Sequence, residues 1–215
     1  MELVGIENTV LTRLFLATRP EGQPYLPRAA ENFVGRYKFA AFPARIEELS
    51  ADRVSFKHGL FNDVAFDLDI FSDGVIVTSK SPSDVLDALL DDIITWMQTA
   101  IGLKKVETHP INTTYESYLI VHSAIGLLSI LDGLAPVQKR LAKALKATTG
   151  RDASFSPVGW ALSPDNTTMP SMKPIPFRVE RRAGIPFETN YYYSCAPLRT
   201  ADHLRVLEEL ERALS

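Results

Sequence analysis

The sequence predicts an α+β fold, with one or more antiparallel sheets and amphipathic helices packed on one face. Two observations predict it. Between residues 54 and 77 apolar and polar residues alternate, which is the pattern of strands that bury one face. Residues 81–102 and 201–214 instead place their apolar side chains at helical spacing. Strands and helices therefore occur in separate runs, which is typical of the α+β class.

The alternating segment predicts an antiparallel meander of three strands. Asp73-Gly74 separates two of the apolar runs, and this dipeptide favours a tight β-turn because glycine accepts positive φ. His58-Gly59 and Asn62-Asp63 mark an earlier turn. We expect two further strands near the C-terminus, at 177–182 and 187–195, and another at 155–162.

Helix-start signals precede each long apolar stripe. Ser81 or Ser83 can cap the helix predicted for 81–102, and Thr200 can cap the last helix. Pro27 is suited to the start of a short helix over 28–37. Each of these signals predicts where a helix begins, independently of its apolar pattern.

Residues 113–149 leave two interpretations open. Thr113 and Glu116 have the spacing of a capping box, which favours a helix. The apolar run 118–122 also fits a buried strand. We favour a strand up to Ser123, followed by a helix from about residue 124 to residue 149 that is interrupted at Pro136.

The polar segment 104–114, which contains Pro110, is the predicted boundary between two halves. An N-terminal half, 1–104, would hold the meander and a helix, and a C-terminal half, 105–215, would hold the strand-helix segment, the hairpin and the last helix. Both halves end in strands, a Ser or Thr cap and an acidic amphipathic helix. This echo fits a remote duplication that would make the two halves similar, and it also fits two ordinary amphipathic helices, which is the interpretation that we favour. The two halves are also compatible with one compact domain.

Composition excludes several classes of protein. The chain has 215 residues, 46% of them hydrophobic and 23% charged, which is ordinary for a folded globular protein. Its one cysteine, Cys195, permits no internal disulfide, and this fits a reducing compartment. The apolar run Tyr118–Leu131 is too short to span a bilayer. We therefore expect a soluble, cytoplasmic protein without a membrane partner.

The net charge of −3 argues against broad nucleic-acid binding, because such binding usually needs a basic face. Four scattered histidines form no His-x-x-x-His pair, and the aspartates near Asp73 lack the glutamate that would close a calcium loop. We therefore expect no metal and no cofactor.

Val64 to Asp69 ends in Asp-x-Asp and resembles the nucleophile strand of the haloacid-dehalogenase phosphatases. The resemblance implies that Asp67 attacks phosphorus and that Asp69 acts as general acid. Phe71 departs from the family, which has Thr or Val at this position. In an alternating strand the two aspartates simply share the solvent face, and we expect the protein not to be an enzyme.

The C-terminal hairpin and the start of the last helix form the predicted site. Arginine and tyrosine are enriched in protein interfaces, and arginines beside a helix N-terminus also attract anions. The candidate binding or interface residues are Arg178, Arg181, Arg182, Tyr191, Tyr193, Arg199 and His203.

Three functions follow, in this order. The first is a non-enzymatic interaction or assembly protein that self-associates, because catalytic motifs are missing and the hairpin is rich in Tyr and Arg. The second is a module that binds a small anion or nucleotide at Arg178, Arg182, Arg199 and His203. The third is a hydrolase that uses Asp67 and Asp69.

Overall fold

The structure, a computed structural model, describes residues 1–18, 26–43, 45, 53–71, 73–100, 104–106, 113–165, 167 and 173–215. Of these residues 37% are helical and 36% lie in strands. The protein is α+β, with an antiparallel sheet and, in the described part of the chain, four α-helices. The predicted fold class is confirmed.

The strands are β1 (Glu2–Leu14), β2 (Leu16–Thr18), β3 (Arg53–Phe61), β4 (Val64–Phe71), β5 (Gly74–Ser79), β6 (Lys104–Val106), β7 (Thr113–His122), β8 (Gly159–Leu162), β9 (Phe177–Arg181) and β10 (Tyr191–Ala196). The α-helices are α1 (Leu26–Tyr37), α2 (Ser83–Ala100), α3 (Ala135–Thr149) and α4 (Thr200–Leu214). Two 3-10 helices, Ser129–Leu134 and Phe187–Thr189, complete the set.

The chain divides into two compact units that exchange segments. Unit 1 comprises Met1–Gly5, Leu119–Ala196 and Leu204–Ser215. Unit 2 comprises Ile6–Tyr118 and Pro197–His203. Three elements, β1, β7 and α4, contribute residues to both units. The division at residues 104 and 105 into two domains stays a prediction.

Unit 2 contains the predicted meander. β3 pairs with β4, β4 with β5, and β5 with β1, all antiparallel. Asn62 and Asp63 form the turn between β3 and β4 with φ of 46° and 64°, as the mirror-image turn of a two-residue hairpin requires. His58 also has positive φ, and the register shifts between Phe56 and Gly59. These residues therefore form a bulge within β3, where the sequence predicted a turn.

The predicted role of Gly74 was wrong. Gly74 has no positive φ and is the first residue of β5, opposite Phe71 of β4. A Cβ at this position would lie 2.5 Å from the carbonyl oxygen of Arg13, well inside van der Waals contact. Glycine is needed here because β1 approaches closely, and the turn does not require it.

The core of unit 2 is rich in aromatic residues. α1 contacts β3 and α2 contacts β5, and the side chains between them pack around Phe33. Its ring lies 4.5 Å from Trp96, 5.4 Å from Phe56 and 5.8 Å from Tyr37, measured between ring centroids. Edge-to-face and offset contacts at these distances stabilise a core beyond the area that they bury.

The α2 and α4 helices complete each other's first turn. Ser83 and Thr200, the first residues of the two helices, are both buried. The backbone N–H of Ser83 donates to Thr200 Oγ1 at 3.1 Å, and the backbone N–H of Thr200 donates to Ser83 Oγ at 3.1 Å. Both residues were predicted to cap their own helices, and instead each hydroxyl satisfies an N–H group that the other helix leaves without an internal partner.

β7 settles the ambiguous segment in favour of a strand, which ends at His122. The helix that follows begins only at Ala135, after the 3-10 helix. Pro136 lies in the first turn of α3, where its missing N–H costs nothing. The predicted α-helix was therefore wrong over 124–134, where only residues 129–134 are helical and form a 3-10 helix. Pro136 starts α3 and does not interrupt it.

Unit 1 pairs β10 with β9 and β9 with β8, all antiparallel. Tyr192 is fully buried, accepts a hydrogen bond from the backbone N–H of Leu127 at 3.0 Å and donates one to Asn190 Oδ1 at 3.2 Å. Glu211 of α4 accepts hydrogen bonds from the Ser123 hydroxyl and the Ala124 N–H. These contacts, together with the hydrogen bond from the Ser123 N–H to the carbonyl oxygen of Asn190, hold the segment that follows β7.

Lys38 ends α1 with φ of 52°, a backbone conformation that glycine adopts without strain and other residues do not. Its N–H donates to the carbonyl of Val34 at 2.8 Å. We expect Lys38→Gly to raise the free energy of unfolding by about 0.5–1 kcal/mol. Chemical denaturation measures the change. Lys38→Ala is the matched control: it also removes the lysine side chain but keeps the Cβ, so an equal gain for both variants would contradict the backbone explanation.

Candidate interaction surface

Five of the predicted site residues lie on the β9–β10 hairpin of unit 1. Cross-strand partners place Tyr193 opposite Glu180 and Cys195 opposite Arg178. Because alternate residues share a face, Arg178 and both predicted tyrosines lie on one face of the hairpin, whereas Arg181 lies on the other. The structure thus brings only part of the predicted set onto one face.

Each hairpin arginine has a defined local partner. Arg178 forms an ion pair with Glu180 at 3.4 Å. The side-chain Nε of Arg181 donates to the carbonyl oxygen of Pro157 at 3.1 Å. The backbone N–H of Arg182 donates to the carbonyl oxygen of Tyr191 at 3.0 Å. Tyr191 packs against His122, with ring centroids 4.8 Å apart. Three of the predicted side chains, those of Arg178, Arg181 and Tyr191, thus make contacts within the fold.

Arg199 belongs to a charge network in unit 2, formed with Arg13, Asp87, Asp91 and Tyr115. Its guanidinium lies 3.0 Å from Asp87 Oδ2, donates to the Tyr115 hydroxyl at 2.5 Å and stacks over the Tyr115 ring at 4.5 Å. Tyr115 in turn donates to Asp87 Oδ1 at 2.8 Å. Burial and the Asp87 carboxylate raise the pKa of Tyr115. Arg199 therefore already has an anionic partner within the fold.

Arg13 closes the network from β1. Its Nη1 lies 2.5 Å from Asp91 Oδ1, and its Nε donates to Thr113 Oγ1 at 3.2 Å. The network holds two arginines and two aspartates, so its formal charges balance. A balanced set of this kind attracts a further anion only weakly.

His203 is fully buried, and its Nδ1 lies 2.7 Å from the Ser117 hydroxyl. Burial lowers the pKa of His203 from 6.5 to about 4, since a charged imidazole is poorly solvated there. The side chain is neutral near pH 7 and out of contact with solvent. An anion site needs an accessible charge, so this burial gives the predicted binding role of His203 no support, and the role stays a prediction.

Asp67 and Asp69 of β4 contact basic side chains of unit 2. Arg53 forms two hydrogen bonds to Asp69, at 2.8 and 3.1 Å, and Lys57 lies 3.3 Å from Asp67. Burial acts to raise the pKa of Asp69, but hydrogen bonds from Arg53 and Ser55 and the charge of Lys57 outweigh burial and lower it. Asp69 is buried, which departs from the predicted solvent face. The pair forms an ionic cluster on the sheet.

A pocket of about 340 Å³ opens in unit 2 beside the end of α1. Arg36 donates two hydrogen bonds to Asp92, at 2.7 and 2.9 Å, and the Tyr37 hydroxyl donates a third at 2.7 Å. Burial and the hydrogen bond to Asp92 raise the pKa of Tyr37. The polar groups of this wall thus bond mainly to one another.

The surface that sequence reasoning missed lies on unit 1. Five large aliphatic side chains are exposed on the 3-10 helix and α3, at 37–54% of their full area. We call this set the apolar stripe: Ile130, Leu134, Val137, Leu141 and Leu145. None of the residues of α3 is buried. A helix normally buries its apolar face, so this one is unpartnered within the described chain.

The stripe could have been found from its spacing. Its members recur at intervals of four, three, four and four residues. Outside the stripe, the same helix carries Lys139, Arg140 and Lys143 and no acidic residue. Basic residues near the C-terminal end of a helix are also favoured by the helix dipole. The signal for a surface, as opposed to a core helix, was this one-sided charge beside an apolar face.

Two negative findings apply to the described residues. No three His, Cys, Asp or Glu side chains there come together in a group that could hold a metal ion. Among the helices described, none is long and apolar enough to cross a membrane.

No family model matches the chain, and no curated protein matches it. Among solved structures it is similar to one described as Methanococcus jannaschii TBP, with a TM-score of 0.45 and 14% identity over 98% of this chain and 95% of that chain. We draw no argument about function from a likeness of this size. The expectation that nucleic acid is not a partner gains no support from this neighbour and stays a prediction.

Proposed function

We propose that the protein is a non-enzymatic interaction protein and that the apolar stripe is its contact surface. The observation that carries the proposal is the exposure of five aliphatic side chains on the 3-10 helix and on α3, which follows it directly. Contiguous apolar surface on a folded protein commonly marks a protein contact or a membrane contact. Scattered exposed leucines would not support the proposal, since single ones are normal.

The energetics support a binding role for the stripe. Covering an aliphatic side chain releases about 25 cal/mol per Å² of apolar surface. Val137 and Leu141, at the centre of the stripe, are 54% and 47% exposed. Their exposed area contributes nothing to the stability of unit 1, and it becomes favourable only when another surface covers it.

The two alternative functions have less support. The anion-binding alternative needs Arg199 and His203 to be accessible and charged, whereas Arg199 is paired with Asp87 and His203 is buried. The hydrolase alternative needs Asp67 and Asp69 to reach a substrate, whereas Arg53 and Lys57 bind them. The interaction function does not require any of these four side chains to be accessible.

The first test replaces the centre of the stripe with polar side chains. We expect Val137→Gln combined with Leu141→Gln to change the free energy of unfolding by less than about 0.5 kcal/mol, as for other exposed positions. Chemical denaturation measures this change. A loss of 2 kcal/mol or more, about that of a buried leucine, would show that the stripe is core and would contradict the proposal.

The second test asks whether the stripe meets another protein in the cells that make this one. A photo-crosslinking amino acid at position 141 should give a discrete crosslinked product, and the same label at the exposed Lys80 of unit 2 should not. The combined Val137→Gln and Leu134→Gln background should reduce the yield. Equal products from both label positions would contradict the proposal. A product at twice the mass of the chain would support the predicted self-association, which native mass spectrometry would then quantify.

A further inference from the structure

We infer that two copies of the chain associate through β8, with the two β8 strands paired antiparallel about a two-fold axis at Trp160. This edge consists of other residues than the apolar stripe, so the inference does not depend on the function proposed above. Three features of the strand carry it: outward backbone groups, a side-chain order that is complementary to itself, and the absence of charge.

The backbone of β8 is open on one side. In the described part of the chain β8 pairs with β9 alone. The N–H of Arg181 donates to the carbonyl oxygen of Val158 at 2.8 Å, and Trp160 faces β9 in the same way because backbone groups alternate in direction along an antiparallel strand. The N–H and C=O groups of Gly159 and Ala161 therefore point outward, to the side on which a further strand adds.

Two side chains of this edge are unusually exposed. Val158 and Leu162 have 65% and 62% of their area in contact with solvent, the largest fractions among the large hydrophobic residues of the described chain. Both share a face with Trp160, two residues away on either side. The Trp160 ring itself packs edge-to-face on Phe177, with ring centroids 5.4 Å apart. Sheet edges in stable monomers usually avoid such apolar exposure.

A two-fold axis at Trp160 makes this edge complementary to itself. An antiparallel pair centred there places Val158 of one copy opposite Leu162 of the second copy, and Trp160 opposite its own equivalent. These are non-hydrogen-bonded positions, at which opposite side chains come closest. Gly159 lies opposite Ala161 of the second copy, and each such pair exchanges two hydrogen bonds through the outward groups. One register thus pairs the backbone and covers both exposed side chains.

The edge also lacks the charge that would repel a second copy. Residues 153–164 contain no acidic or basic side chain, and the register of β8 with β9 is continuous. The edge strand of unit 2 differs: β3 carries Arg53 and Lys57, contains the bulge at His58, and forms an isolated bridge with Ala41. Charges and bulges are the means by which proteins prevent edge-to-edge pairing. β8 has neither.

The contact is short, so the expected dimer is weak. Pro157 and Pro164 flank the strand, and proline donates no backbone hydrogen bond, which limits the pairing to the residues between them. Contacts of this size are typical of transient association. We expect a reversible dimer with a dissociation constant of roughly 1–200 µM, measured by sedimentation equilibrium of the full chain.

Two variants and a control test the edge by the same measurement. Ala161→Pro removes an outward N–H and leaves the hydrogen bonds of β8 to β9 in place, and Leu162→Lys adds a charge to an apolar cross-strand pair. Each should raise the dissociation constant at least about tenfold. Leu60→Lys is the matched control, since Leu60 is 46% exposed on β3, and it should leave the constant within about twofold. Thermal denaturation checks that each variant folds; if Ala161→Pro does not, Leu162→Lys decides the outcome.

Disulfide formation tests the register. Val158→Cys mixed with Leu162→Cys should give a crosslinked dimer on mild oxidation, because opposite residues of a non-hydrogen-bonded pair lie within the Cα distance of a disulfide. Neither variant should crosslink alone, since each new cysteine lies four residues, about 13 Å, from its equivalent in the second copy. The unchanged chain, whose Cys195 is buried, controls for the native thiol.

Each other outcome overturns a defined claim. A chain that stays monomeric at about 1 mM overturns the inference and leaves the apolar stripe as the proposed contact surface. A dimer that is dissociated by Val137→Gln combined with Leu141→Gln, and not by Leu162→Lys, has its second copy on the stripe and also overturns the inference. A dimer that needs β8 but crosslinks through Val158→Cys alone overturns the axis at Trp160.

Discussion

Acidification from pH 7.5 to pH 4 is expected to lower the free energy of unfolding by about 3 kcal/mol through His203 alone. Burial lowers the pKa of His203 from 6.5 to about 4. Between these values the unfolded chain binds a proton that the folded chain does not, so stability falls as pH falls. The contribution of neutral His203 to the free energy of unfolding is complete above pH 6.5 and is lost as the pH approaches 4. Each unit of pKa difference corresponds to about 1.4 kcal/mol.

Urea denaturation at several pH values checks this expectation. His203→Gln should flatten the dependence between pH 6.5 and 5, because it removes the buried imidazole. Asp69, Asp165 and Glu211 are carboxylates whose pKa is lowered, and they change stability only as the pH falls through about 4.5 and below. A steep loss above pH 5 that survives His203→Gln would place its origin in another group.

Replacement of Phe33 by alanine is expected to be the most destabilising single change, at about 3–5 kcal/mol. Phe33 is 2% exposed, and its ring contacts three other aromatic rings of unit 2. Removing it leaves a cavity lined by rigid rings that cannot close on the space. A domain has only about 5–15 kcal/mol of stability in total, so this one change removes a large share.

Thermal and urea denaturation measure the loss, and the fluorescence of Trp96, whose ring adjoins Phe33, reports it locally. Phe42→Ala is the matched control, since Phe42 is 47% exposed and should cost less than about 1 kcal/mol. Similar losses for both variants would mean that the aromatic cluster does not dominate the core. Phe33→Leu should lie between the two because it fills part of the cavity.

Local patterns predicted much of the fold. Period-two alternation gave the meander, and helical periodicity with Ser and Thr start signals gave α2 and α4. Two of the failures depended on contacts between residues distant in sequence. Gly74 is explained by the approach of Arg13, which lies 61 positions earlier, and Ser83 and Thr200 bond to each other across 117 positions. A single sequence contains no signal for such pairings.

The site was harder to predict than the fold. Arg199 and His203 lie where the sequence predicted, at the start of the last helix. A sequence pattern does not reveal that Arg199 pairs with Asp87 or that His203 is buried. α3 shows the opposite error. Its periodicity predicted a helix correctly, and periodicity alone does not distinguish a face that meets the core from one that faces solvent. Charge on the helix was the better indicator.

The exchange of hydrogen bonds between Ser83 and Thr200 has a consequence for synthesis of the chain. A ribosome makes α2 long before it reaches Thr200, so the first turn of the nascent helix must wait for more than a hundred further residues. Only when residues 197–203 have left the exit tunnel does unit 2 contain all its segments. We therefore expect unit 2 to acquire its full protection from proteolysis late in translation, although most of its residues are made early.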